Sequence, residues 1–215
     1  MLLPIDELNN LNYEDKITDV TRYLDDYFEV MPVDEERKDR RKQAAFSIRD
    51  SLIFLIVLMR TMAERDAFDY EYVLNVFRTE FTNAIIPYVR QDVYILNYIN
   101  EFTKDYLDHT IEHLSQDDAG FFWSDDRATI ASANEGNAVV GYEELEEAID
   151  DGYTQKRWIT QRDNRVRATH REVDGKTIPI NDYFIVGGSA LLCPCDPDCP
   201  DEKETAGCRC ALEYL

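Results

Sequence analysis

Residues 156–175 read Lys156-Arg-Trp-Ile-Thr-Gln-Arg-Asp-Asn-Arg-Val-Arg-Ala-Thr-His-Arg-Glu-Val-Asp-Gly175; Thr177-Ile-Pro-Ile180 follows, and Cys208-Arg-Cys210 closes the stretch. The pattern predicts a strand around Arg157 to Thr160, a charged turn at Arg162 to Arg165, and a turn at Asp174-Gly175 before an alternating segment. All five cysteines lie between Cys193 and Cys210, in Cys193-Pro-Cys195-Asp-Pro-Asp-Cys199-Pro200 and then Cys208-Arg-Cys210. Thiols crowded into one loop-rich segment are placed for cross-linking.

Where thiols are kept reduced, structural disulfides are rare, whereas four thiolates satisfy tetrahedral zinc and tie a loop-rich terminus together. A structural zinc is therefore the expected cross-link. Cys195, Cys199, Cys208 and Cys210 form the expected ligand set, with Cys193 or His170 as substitutes; disulfides or free thiols are the alternatives. Five thiols and one imidazole exceed four positions, and the choice among them stays open.

An ordered series of landmarks runs through the same region: Ile130-Ala131 on a helix, Lys156-x-Trp158, Asp163-x-Arg165-Val-Arg167-x-x-His170, Asp174-Gly175, a strand at Phe184 ending in Gly187-Gly188, Pro194-x-Asp196-Pro197, and Cys208-Arg-Cys210. In order and spacing the series resembles the Mu F-like phage head morphogenesis domain, found in minor head proteins of tailed bacteriophages. The resemblance covers residues 127 to 213. It departs from the family at Ser132-Ala133-Asn134, where Arg-Thr-Glu is usual, and at Gly207, where Asn is usual; Cys193, Cys195 and Cys199 are additions to the pattern. The resemblance implies a structural role in head assembly, with a possible part in DNA packaging or ejection. It also implies the portal or other head proteins as partners, and a place in the head interior or at the portal vertex after synthesis in the bacterial cytoplasm.

Charge narrows the alternatives. With 44 acidic against 23 basic residues the chain carries a formal charge of -21, which repels nucleic acid over most of its surface, so weak or no DNA binding is expected. Lys156, Arg157, Arg162, Arg165 and Arg167 form a basic block beside the acidic block of residues 143–151. The two blocks either pair with each other or leave the basic one as a phosphate or partner patch. Arg40-Arg41-Lys42 is read as a solvated face, with a phosphate contact as the sharper alternative. Met1-Leu-Leu-Pro4 lacks the basic start of a signal peptide. The apolar run Leu52–Met59 is far shorter than the roughly 20 residues of a membrane span; no membrane association is expected.

The first half reads as helical. Asn12 is a candidate N-cap for a helix carrying Ile17, Val20, Leu24 and Phe28 to Pro32. The acids of residues 34–36 open a second helix that runs to about Met62. Val73, Phe77, Phe81 and Ile85 mark a third, stopped by Pro87, and Ile95, Ile99, Phe102 and Tyr106 a fourth that reaches about Leu114. Tyr70, Tyr72, Tyr88, Tyr94 and Tyr98 exceed one core stripe, which makes this half a candidate partner-binding region. Asp125 or Asp126 caps a helix to Ala138, and residues 143–151 form a separate amphipathic helix.

The expected fold class is thus α+β. An N-terminal helical bundle occupies residues 1 to 115, the polar stretch from Ser115 to Gly120 marks the boundary, and residues 120 to 215 form a small Mu F-like α+β domain with a short antiparallel sheet and a Cys-rich C-terminus. No catalytic residue is assigned: the sequence lacks a Ser/His/Asp arrangement, a phosphate-cradling glycine loop and the H-x-E motif of zinc deaminases. His109 and His113 share a helix face, but no Glu follows the first His, so they are read as surface residues. With Cys210 five residues from the end at Leu215, no fused enzyme is expected after it. The other two functional readings are a nucleic-acid-contacting zinc module, and a hydrolase or transferase centred on His170.

Overall fold

The structure, a computed structural model, describes residues 14–215. It is α+β. The helices are α1 (Val20–Glu29), α2 (Glu35–Glu64), α3 (Tyr70–Ile85), α4 (Val93–Glu112), α5 (Ala119–Phe122), α6 (Asp125–Asp150), α7 (Ala168–Val173) and α8 (Glu202–Thr205). The strands are β1 (Gln155–Ile159), β2 (Thr177–Pro179), β3 (Phe184–Val186), β4 (Ser189–Leu191) and β5 (Ala211–Tyr214). No helix among the described residues is long and apolar enough to cross a membrane.

Two compact units divide the chain. One comprises the described residues up to Val20 with Phe46–Ser132; the other comprises Thr21–Ala45 with Ala133–Leu215. The division falls inside the two longest helices, α2 and α6, and not in the polar stretch from Ser115 to Gly120. That stretch is instead a short 3-10 turn leading into α5, whose Ala119 is buried. α6 is also one continuous helix where the sequence suggested two, because Gly136 and Gly141 are tolerated within it and no proline interrupts it.

In the first unit, α3 buries Val73, Leu74, Phe77, Phe81 and Ile85, and α4 buries Ile95, Tyr98, Ile99, Tyr106 and Leu107, in agreement with the helical periodicity. Phe81 stacks on Phe102 with centroids 4.6 Å apart. Asp69 caps α3 by accepting from the Tyr72 amide at 3.0 Å, and Asp92 caps α4 by accepting from the Ile95 amide at 2.8 Å. Ile48, Leu52, Leu55, Ile56 and Met59 make the apolar run of α2 a buried face. The first helix begins later than its periodicity suggested. Lys16 and Ile17 give their amides to the Asp126 carboxylate at 2.8 and 2.9 Å, so the helix starts at Val20. Asn12 lies outside the described residues.

In the second unit, β1 is the centre of a three-stranded antiparallel sheet in the order β2-β1-β5, with Trp158 opposite Leu212. Gly187-Gly188 turns β3 back onto β4 as a hairpin. Trp158, Val173, Ile180, Phe184, Val186, Leu191 and Leu212 pack with Leu145 and Ala148 of α6 into one core, joined by all five cysteines. The portions of α2 and α6 in this unit approach closely at Gly136, where a Cβ would lie 2.8 Å from the Arg41 carbonyl oxygen and 2.9 Å from the Ala45 Cβ.

Charge pairing in this unit differs from the sequence reading. Arg41 is buried, not solvated; its guanidinium grips Glu144 through both oxygens, and Arg37 reaches the same carboxylate at 2.6 Å. Arg40 pairs with Glu147 and Lys42 with Asp25. Glu144 and Glu147, two of the acids expected to meet the basic block of residues 156–171, are therefore held by α2.

Candidate metal centre

The pleat of β1 sets the first element of the site. Alternate residues face the core, so Lys156 and Trp158 are buried while Gln155 is exposed. On the one and a half turns of α7, His170 and Val173, three apart, both point inward. Cys208 and Cys210, two apart just before β5, bring both sulfurs to His170, and the guanidinium of Arg209 between them meets the Asp163 carboxylate at 3.1 Å.

His170 Nδ1 lies 3.3 Å from the Cys210 sulfur and 3.6 Å from the Cys208 sulfur. Among the described residues these three form the one group of His, Cys, Asp or Glu whose ligand atoms lie within 4.8 Å of one another, and all three are buried. The group could hold a metal ion. A tetrahedral ion with bonds of about 2.3 Å to sulfur and 2.0 Å to nitrogen holds S and N about 3.5 Å apart. The observed separations bracket that value.

The other imidazole nitrogen is fixed from behind. Nε2 lies 3.1 Å from Glu204 Oε2, which also accepts from the Thr169 hydroxyl at 2.7 Å. A carboxylate on the far nitrogen of a metal-binding His selects the tautomer and aims the ring. Gly187 makes room for it: with φ at 60°, a Cβ there would fall 2.1 Å from Glu204 Oε1. Trp158 meets His170 edge to face, ring centroids 5.7 Å apart, and its buried indole N–H has no hydrogen-bond partner.

The electrostatics favour charge separation within the group. Hydrogen bonds from Cys195 and Cys210, aided by His170, hold the Cys208 thiol well below its ordinary pKa against the opposing effect of burial. Burial works most strongly to lower the His170 pKa, but its hydrogen bond to Cys208, together with the negative charge of Cys208 and Glu204, raises it overall. Cys208 is thus disposed to be a thiolate beside a protonated imidazole, and a cation binding there takes over the proton's role. Cys210 is pushed up by its hydrogen bond to Cys208 and by burial.

The remaining cysteines are buried and unbridged and lie outside this group, although the Cys195 thiol hydrogen-bonds that of Cys208. The Cys195 sulfur contacts the carbonyl oxygens of Cys208 at 3.4 Å and Thr205 at 3.6 Å and accepts from Asn137 Nδ2 at 3.4 Å. Cys199 donates to the Asp201 carbonyl at 3.4 Å. Cys193 has its pKa raised by burial and by Asp196. Of the expected ligand set, the structure brings together Cys208 and Cys210, with the substitute His170 completing the group.

The basic block does not form one surface. Lys156 is buried, its Nζ donating to the Leu192 carbonyl at 2.8 Å, and burial pushes its pKa down to about 8. Arg157 pairs with Glu213, Arg162 with Asp174, and Arg167 donates to the Ala206 carbonyl. Arg165 is exposed. In the first unit, His113 bonds Asp118 at 2.8 Å and stacks on Phe122, while His109 is exposed. Glu204 and Asn137 were missed by sequence reading, because nothing in their local pattern separates them from the other acids and amides.

No protein-family model, curated protein or solved structure matches this chain.

Proposed function

We propose that this chain is a structural minor head protein of a tailed bacteriophage, acting at the portal vertex or head interior during assembly, and that zinc at His170, Cys208 and Cys210 holds its second unit together. One observation carries the reading. Trp158, His170, Cys208 and Cys210, landmarks of the Mu F-like resemblance drawn from distant parts of the stretch, meet in a single buried cluster. A shared structural centre gives such a series a reason to recur in order. Two thiolates and one imidazole suit zinc better than magnesium or calcium, which prefer oxygen.

The competing readings find less support. As an acid or base His170 is poorly placed, since one nitrogen faces two sulfurs and the other a carboxylate, and the ring is buried. A nucleic-acid module needs its cations gathered on a surface; here Lys156 is internal, and Arg157 and Arg162 are paired with acids. Partner contact is assigned to the helical first half, where Tyr72, Val93 and Leu96 are exposed. The test is to tag the chain in infected bacteria, purify heads and quantify it against the portal. A few copies per head, captured together with the portal protein, are expected. Recovery only as free protein, with none in purified heads, overturns the proposal.

A further inference from the structure

The three residues that could hold a metal also line a small cleft. Its volume is about 20 Å³, and it is bounded by His170, Cys208 and Cys210 with Arg165, Arg167 and Arg209. One water needs about 10–15 Å³ measured in this way. The cleft therefore has room for a single small ligand beside all three candidate metal-binding residues. Arg165 is exposed, so the cleft has a solvent-facing side.

Cys195, the nearest further thiol, does not line this cleft and falls outside the mutual 4.8 Å distance. Its sulfur is turned to the Cys208 and Thr205 carbonyls and Asn134 Oδ1 at 3.7 Å, and accepts from Asn137 Nδ2 at 3.4 Å, so its contacts are already filled within the chain. A tetrahedral zinc with three protein ligands keeps one position for something else. Two thiolates and a neutral imidazole leave a divalent ion with no net charge, so an added anion brings a negative charge that Arg165 and Arg167 can offset, Arg209 being already paired with Asp163.

Resting on the zinc reading above, we infer that the metal held by His170, Cys208 and Cys210 keeps a fourth position for a small anion or hydroxide from outside the chain, admitted through the cleft beside Arg165, Arg167 and Arg209. The centre is then open to exchange while still tying α7 to β5.

The test uses the full chain under reducing conditions, loaded with zinc for X-ray absorption and with Co²⁺ for visible spectroscopy. Cys195→Gly is the informative variant, because the φ of 60° at Cys195 suits glycine and the sulfur is removed without backbone strain. Two sulfurs at the metal in both wild type and Cys195→Gly are expected. Azide is expected to shift the Co²⁺ bands, and Arg165→Ala to weaken that azide response several-fold. Three sulfurs in the wild type falling to two in Cys195→Gly, or bands indifferent to azide, overturn the open position while leaving the zinc reading intact. A folded chain that takes up neither metal overturns both.

Discussion

Gly187 and Lys156 show how single residues serve the second unit in ways their types do not announce. Gly187 sits where a side chain would strike the Glu204 carboxylate, the group that orients His170. Gly187→Ala should displace that carboxylate and weaken zinc binding roughly 10- to 100-fold, the usual cost of losing such a support; competition against a chromophoric chelator measures it, and unchanged affinity would remove Glu204 from the account. Lys156 is internal and disfavours its charged form. With its pKa lowered to about 8, the folded state releases a proton that the unfolded chain keeps until about 10.4. Stability from this group is therefore present at high pH and lost as pH falls through about 8. Replacing it by Met removes this dependence. Lys156→Met should be the more stable protein below pH 8, and the wild type should recover on the order of 3 kcal/mol relative to it as pH rises from 8 to 10.4. Parallel denaturation curves for the two proteins across that range would contradict this.

At the scale of elements, α2 and α6 decide most of what sequence could and could not reveal. Their existence was legible: acids at residues 34–36 before bases at 37–42, the apolar run to Met59, and Asp125 and Asp126 in a first turn all mark helices. So were α3 and α4, whose buried residues recur at spacings of three and four, and β1, whose Trp158 faces the core. The contribution of both long helices to both compact units was not legible, since periodicity reports a buried face and not what covers it. Charge pairing failed for the same reason: Glu144 lies twelve residues before Lys156 in the chain, yet its partners are Arg37 and Arg41. Burial works to raise the Glu144 pKa, but those two cations outweigh it and hold it below the ordinary carboxylate value. Its contribution to stability is thus full above about pH 4.3 and lost as pH falls through the depressed value. Glu144→Gln leaves the Arg41 cation buried without its counter-charge, a loss of about 3–5 kcal/mol. Urea denaturation at pH 7 reads this directly. A cost under about 1 kcal/mol, the size of an exposed pair, would mean the ion pair is solvated.

For the whole molecule, the cysteine cluster was legible as a candidate metal centre, but its membership was not. Spacing favoured Cys195 and Cys199 because they are cysteines near other cysteines. The fold brings the substitute His170 beside the other two of the expected set, because α7 delivers its imidazole to the sulfurs of Cys208 and Cys210, while Cys199 turns to the Asp201 carbonyl. If zinc joins α7 to the segment entering β5, its binding energy is folding energy for the second unit, on the order of 10 kcal/mol in zinc-finger peptides. The most direct measurement is elemental analysis of the full chain purified under reducing conditions without chelator, alongside His170→Ala and Cys208→Ser. About one zinc per wild-type chain, lost from both variants together with thermal stability, is the result expected. A wild-type chain that is folded and metal-free, or one whose zinc survives both substitutions, would contradict the account.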